Sequence, residues 1–424
     1  MTVFDKSILN PFMTGTELTE SLQVLPKYDE SIRNKDKSIR LIALSDLYDI
    51  YISSDMSKEI YTKLYLSIIR SLDKKATIES VRQCNENYRA IRQMGFQGIL
   101  GGADSYTIIG SSGIGKSSAI SRSINLITGT QYIEYSDKKI CPALIVQSPF
   151  DASFKGLAYE ILRKVDSVLE TNYYRNAIRS RATTDVLIGM ISQVSLNHLG
   201  LLVIDEIQNV AVSKNGRTFI NSVTQLINSS GISICMVGTQ ECKAFFEQKF
   251  QLARRSMGLT YYPLPLDEHF EKLCRIVFCY QYTHCKTDFN DSFLEWLYEH
   301  SGGLVSLVIS LIHDAQEIAI LSGSEKLDIK SLNDAFEKRS TLLHGYLQGN
   351  SQALPKTGKI TKKNEQNIIG KTAILEKKPA IGKCGSCSIL EIVEESKKNT
   401  LDVVEVLKQY IIIEEIGKEG CTPC

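Results

Sequence analysis

The sequence predicts an α/β protein whose parallel-sheet core carries a phosphate loop and is followed by a helical module. Three observations lead there. "YTIIGSSGIGKSSAI" (106–120) sets glycines, small hydroxyls and one lysine between two apolar stretches. Residues 106–265 alternate short apolar strands with helical stretches, which is how a parallel sheet reads in sequence. Residues 268–347 then turn all-helical, with "DSFLEWLYEHSGG" ending in a Gly-Gly stop and "DIKSLNDAFEKRSTLLHGYL" closing the unit.

The loop fits G-x-x-x-x-G-K-[ST], from Gly110 to Gly115-Lys116-Ser117. Tyr106 to Ile109 read as a buried strand and Ser118 to Ile127 as the start of a helix. Backbone N–H groups of such a loop wrap an anion, and the helix N-terminus adds unsatisfied donors and the positive end of its dipole. The predicted phosphate cradle is therefore Gly110, Ser111, Ser112, Gly113, Ile114, Gly115, Lys116, Ser117 and Ser118. Lys116 would reach the β- and γ-phosphates, and the Ser117 hydroxyl would ligate Mg²⁺.

The chain divides by composition into five parts. Residues 1–97 are a polar arm followed by helices, 98–266 the α/β nucleotide-binding core, and 267–347 a helical lid. Residues 348–383 are a flexible basic linker, with eight lysines against two glutamates from Gln348 to Lys383. Residues 384–424 are a small acidic tail. The core strands expected are 106–109, 142–147, 201–205 and 232–237, with 131–135 as an edge hairpin.

"LGLLVIDEIQNV" (199–210) runs four apolar residues into Asp205-Glu206. Both carboxylates thus fall at the carboxyl end of a buried strand, where α/β sheets place ligands. Asp205 can hold Mg²⁺ and Glu206 can polarise an attacking water. "ISICMVGTQE" (232–241) is another apolar strand, and Thr239 at its end is the candidate γ-phosphate sensor. "FQLARRSMG" (250–258) presents Arg254 and Arg255, either of which, supplied from a neighbouring subunit, can stabilise charge on the γ-phosphate. No N-K-x-D guanine-reading motif follows the carboxylate strand, so ATP is expected rather than GTP.

These motifs in this order resemble an AAA+ ATPase. Together with "VQSPFDASFKGLAYEILRKVDSVLETNYY" (146–174) they resemble the TnsC/TniB family, AAA+ regulators that choose DNA targets for multi-subunit transposons. The resemblance covers about residues 90–345. It implies duplex-DNA binding in the ATP-loaded state, homo-oligomeric rings or spirals, and recruitment of transposase subunits on one side and a target-selecting protein on the other. It assigns the nucleotide roles to Lys116, Ser117, Asp205, Glu206, Thr239 and the Arg254/Arg255 pair. "SGGLVSLVISL" departs from the many AAA+ proteins that place an arginine early in a lid helix. Lys155, Arg179, Arg181 and Thr183 (or Thr184) are candidate contacts to the DNA backbone, with the steep salt dependence such contacts bring. Two other readings stay open: a different AAA+ DNA ATPase, such as a helicase loader or replication initiator, and a P-loop signalling switch. Initiators usually add a winged-helix reader after the lid, and signalling switches long repeat arrays; neither is seen here.

Composition narrows the rest. A net charge of +1 means that any surface for nucleic acid must be local. No uninterrupted apolar run approaches 18 residues and the first residues lack a secretory pattern, so no membrane partner is expected. Eleven cysteines scattered through apparent core strands suit a reducing cytoplasm. Cys384, Cys387, Cys421 and Cys424 form two C-x₂-C pairs. They are either a tetrahedral thiolate site for Zn²⁺ or two thiol pairs in a tail that docks onto a partner.

Overall fold

The computed structural model describes residues 8–75, 82, 105–135, 138–230, 232–247 and 258–350. Its strands are β1 (Tyr106–Gly110), β2 (Ile133–Tyr135), β3 (Lys138–Gln147), β4 (Leu199–Asp205), β5 (Ser233–Gly238) and β6 (Leu259–Tyr261). They form one sheet in the order β2-β3-β4-β5-β1-β6. Every pairing is parallel except the β2/β3 hairpin, which the sequence places at 131–135. The register sets Gln147 opposite Asp205 and Ile109 opposite Gly238. Four strands, β1, β3, β4 and β5, therefore end together at one edge, which is where the site lies.

The N-terminal helices are α1 (Gly15–Leu22), α2 (Lys37–Ala43) and α3 (Asp55–Lys75). Those of the core are α4 (Lys116–Thr128), α5 (Phe154–Leu169), α6 (Tyr173–Arg179), α7 (Thr184–His198), α8 (Gln208–Val212), α9 (Gly216–Ser230) and α10 (Cys242–Glu247). The lid follows as α11 (Glu268–Cys279), α12 (Asp291–Ser301), α13 (Val305–Ser322) and α14 (Ile329–Asn350).

Alternate residues of each buried strand serve opposite faces. Ile109, Leu202, Ile204, Ile234 and Met236 pack with α5, α7 and α9. Tyr106, Ile108, Leu201, Val203, Cys235 and Val237 pack with α1, α3 and α4. Each fully buried aliphatic side chain contributes about 1.5–3 kcal/mol of transfer free energy, so a sheet covered on both faces is a rigid platform for its edge.

The N-terminal residues join both parts of the molecule. Leu9, Leu18 and Ile60 belong to the sheet core, whereas Leu44, Leu47 and Ile50 belong to the lid core with Phe270, Phe278 and Ile312. Arg40 of α2, only 1% exposed, makes a bidentate pair with Glu325 of the lid at 2.6 and 2.8 Å. It also donates to the carbonyls of Tyr282 (2.9 Å) and Lys35 (3.1 Å).

Sequence reading did not anticipate β6, because three residues of "LTYY" contain no apolar run and only one side of the strand is paired. α13 is the one described helix long and apolar enough to span a bilayer. Its apolarity has a local cause: Val308, Leu311, Ile312, Ala315 and Ala319 are buried inside the lid. The six described cysteines are free thiols. Burial pushes Cys141 and Cys274 up to about 12, so both stay protonated and behave as small apolar side chains.

Candidate active site

The loop between β1 and α4 is shaped by two glycines in the left-handed region, Gly113 (φ +81°) and Gly115 (φ +95°). Gly115 caps α4 from that conformation, which turns the first helical amides toward the cleft. Gly113 also has the lid against it. The Ser306 amide at the start of α13 donates to the Gly113 carbonyl at 3.0 Å, and a Cβ on Gly113 would meet the Ser306 Oγ. The phosphate loop and the lid thus touch at Gly113, and Ile114 beside it packs with Leu304, Leu307 and Leu311 of the lid.

Lys116 is buried, and its ammonium donates to the carbonyls of Gly110 and Ser111, both at 2.8 Å. Desolvation pulls its pKa below the usual lysine value, opposed by the Asp205 and Glu206 charges. A lysine in that position gains from a polyphosphate. The Ser117 hydroxyl donates to Asp205 Oδ2 at 2.8 Å, so a helix start and a strand end bring two hard oxygen ligands together. This donor set fits Mg²⁺.

Glu206 has φ +58°, a conformation that costs a non-glycine residue free energy and is found where geometry serves a site. Neighbouring bonds hold it there: the Glu206 amide to Asp205 Oδ1 at 2.8 Å, and the Ile207 amide to the Val237 carbonyl at 3.0 Å. The exposed Glu206 carboxylate accepts from Gln208 Nε2. Gln208 Oε1 is buried without a partner. Thr239 Oγ1 is buried beside the Cys242 thiol and makes no sound hydrogen bond. Two unsatisfied polar atoms next to a phosphate loop are what a site for a polar ligand looks like.

These groups line a cleft of about 660 Å³ between the sheet edge and the lid. Ser112 to Ser118, Asp205, Glu206, Gln208 and Thr239 form its polar end. Ile50, Tyr51, Ile52, Leu264, Val305 and Ile309 line it as well, giving an apolar wall suited to a base. Gly110 and Ser111 stand just behind, holding Lys116; Gln240 Nε2 lies 3.5 Å from Ser111 Oγ. In place of a lid arginine, α13 presents Ser306 and Ser310.

The structure brings together the predicted Lys116, Ser117, Asp205, Glu206 and Thr239. Arg254 and Arg255 lie outside the described residues, as do all four tail cysteines. Gln208 went unnoticed in sequence, although a buried-strand carboxylate pair followed by a helix-starting amide is a legible signal. Residues 50–56 also went unnoticed, because nothing in their composition marks a segment 60 residues upstream as part of the cleft.

The four candidate DNA contacts are all exposed. The Lys155 ammonium sits 5.7 Å from the Tyr159 ring, which packs edge-on at 6.0 Å against Tyr174 of α6. Arg179 ends α6, Arg181 occupies the turn that follows at φ +48°, and Thr183 caps α7 by accepting from the Val186 amide at 3.5 Å. Arg163 and Lys164 on α5 pair with Glu160, but Lys155, Arg179 and Arg181 have no acidic partner among the described residues. His313, Asp314 and Glu317 are grouped closely enough to hold a metal ion, yet Asp314 already accepts from Arg339 and His313.

A phosphate loop, paired carboxylates at a parallel-sheet edge and a helical lid on the same cleft define an ATPase module of the AAA+ type. Residues 102–261, which end with β6, match the TniB family model, described as the bacterial TniB protein, and over that stretch the chain is similar to this family. No curated protein matches the chain. Solved structures of similar fold include the Aeropyrum pernix ORC1 protein in complex with DNA. It is 15% identical over 65% of this chain and 68% of that chain, with a TM-score of 0.39. The ADP form of Aeropyrum pernix ORC2 is 18% identical over 60% and 66%, at 0.37. The Walker-type ATPase paby2304 of Pyrococcus abyssi is 12% identical over 64% and 75%, at 0.38. Likenesses this distant leave function to the site itself.

Proposed function

We propose that this chain is an ATP-hydrolysing, DNA-binding regulator of transposition that assembles on duplex target DNA and links a target-selecting protein to transposase subunits. The observation that supports it most is the joining of Lys116, Ser117, Asp205, Glu206 and Thr239 at one edge, inside the stretch that matches TniB. In this reading the loop amides and Lys116 hold the β- and γ-phosphates, and Ser117 and Asp205 hold Mg²⁺, which neutralises charge on the phosphate oxygens when bound. Glu206 accepts the proton of the attacking water, and Thr239 orients that water or the γ-phosphate. Arg254 or Arg255 of a neighbouring copy completes the site. Lys155, Arg179 and Arg181 hold the DNA backbone, the protein works in the cytoplasm, and the basic linker and tail tether transposase subunits.

Electron microscopy with linear duplex and a slowly hydrolysed ATP analogue tests the assembly. Rings or filaments on DNA are expected; dispersed single particles would contradict the proposal.

A further inference from the structure

The two most exposed large apolar side chains among the described residues lie on two loops that are bonded to each other. Phe150 is 89% exposed and Val212 is 77% exposed. Phe150 lies in the turn between β3 and α5, and Val212 ends α8. Hydrogen bonds stitch the two loops together. Asn209 Nδ2 donates to the Ser148 carbonyl at 3.3 Å, while Ser213 Oγ and Asn215 Nδ2 both donate to the Asp151 carbonyl, at 3.4 and 3.3 Å. The turn is built to a fixed shape: Pro149 precedes Phe150, and Ala152 sits at φ +50°.

The surroundings of this apolar tip are cationic. Lys155, Lys214 and Arg217 are exposed and have no acidic partner among the described residues. Asp151 is the one carboxylate within 148–156 and 209–218, and its Oδ1 already accepts from the Ser153 amide at 3.0 Å. An apolar tip rimmed by unpaired cations is the makeup of a wedge that parts stacked base pairs while its neighbours hold the flanking phosphates. Phosphates answer the cations while stacked bases cover the apolar tip, so duplex DNA suits both halves of the patch.

We propose that Phe150, with Val212 on the loop bonded to its own, enters duplex DNA as an apolar wedge, and that Lys214, Lys155 and Arg217 grip the adjacent phosphates. This rests on the DNA-binding reading above. The protrusion is bonded directly to the strand that carries the hydrolytic carboxylates, since the Ser148 amide donates to the Asp205 carbonyl at 2.8 Å and α8 begins at Gln208, the partner of Glu206. Insertion of the wedge therefore reaches the nucleotide site through one short helix and one backbone bond.

The test uses the full-length chain, a linear duplex and a slowly hydrolysed ATP analogue. Permanganate reactivity of thymines reads unstacking, and a salt titration of affinity reads phosphate contacts. Wild type is expected to raise thymine reactivity. Phe150→Ala should abolish that rise and weaken affinity about tenfold, the scale of one lost base contact, with the salt slope unchanged. Lys214→Ala should keep the rise and lower the slope by about one. A Phe150→Ala protein with full reactivity and affinity would overturn the wedge alone. So would loss of self-association without DNA in that variant, which would make the tip an interface between copies. Absence of any duplex binding by wild type would overturn both the wedge and the DNA-binding reading.

Discussion

The junction between arm and lid and the cleft at the sheet edge bury polar groups in opposite ways. At the junction the central groups, Arg40, Gln281 and Gln316, are answered, and the leftovers, Thr287 Oγ1 and two Arg33 nitrogens, lie at its margin. Arg40 has its carboxylate and two carbonyls. Gln316 accepts from the Tyr282 amide at 2.7 Å and donates to the Tyr280 carbonyl at 3.0 Å. Gln281 spans the Thr287 backbone in both directions. In the cleft, Gln208 Oε1 and Thr239 Oγ1 are left over, Glu206 is held at a positive φ, and desolvation works against the Lys116 charge. A satisfied network fixes one arrangement, while unsatisfied groups forgo stability that a ligand can restore. The first region is a fixed joint, and the second has the unmet polar groups expected of a ligand site.

The comparison breaks most readily at Glu206. Glu206→Gln should lower ATP turnover by about 10²–10⁴-fold while nucleotide still binds, measured by steady-state phosphate release beside a binding titration. Turnover near normal would remove Glu206 as the base. The junction should respond in stability instead. Glu325→Gln leaves the Arg40 guanidinium buried without a counter-charge and should cost about 3 kcal/mol, read as a lower midpoint in urea.

The same pair carries a pH signature. Hydrogen bonding from Arg40, the main cause, holds the Glu325 carboxyl below the usual glutamate range, with the His284 amide assisting. Its stabilisation is complete above the ordinary glutamate value and is lost as pH falls through the depressed one. The stability gap between wild type and Glu325→Gln should therefore be widest near neutrality and close in acid; a gap constant with pH would contradict the assignment. Smallest in stability is Thr239→Val. It removes an unanswered buried hydroxyl and should leave the nucleotide-free protein as stable or about 1 kcal/mol more so. Turnover should nonetheless fall at least about tenfold. A loss of stability would mean that the hydroxyl has a structural partner.

How much of this was legible in sequence follows from how local each feature is. The phosphate loop and the carboxylate pair are written in contiguous residues whose spacing is dictated by a strand–loop–helix turn, so Lys116, Ser117, Asp205 and Glu206 could be named with their elements. The Arg40–Glu325 pair joins residues far apart in sequence and has no local pattern, so residues 1–55 read only as a polar arm. Tyr51 and Ile52 reach the cleft for the same reason. Phe150 was within a quoted motif, but exposure is a property of packing: one phenylalanine in "SPFDASF" is buried at position 154 and the other stands in solvent at 150.

The central claim is that a triphosphate is gripped where the β1 loop, the end of β4 and the lid converge. Titration of ATP with Mg²⁺ into wild type and Lys116→Ala, each with thermal stability monitored, tests it most directly. The account predicts nucleotide binding and a ligand-dependent rise in melting temperature for wild type, with both lost in the variant. Equal affinity in the two proteins would contradict it.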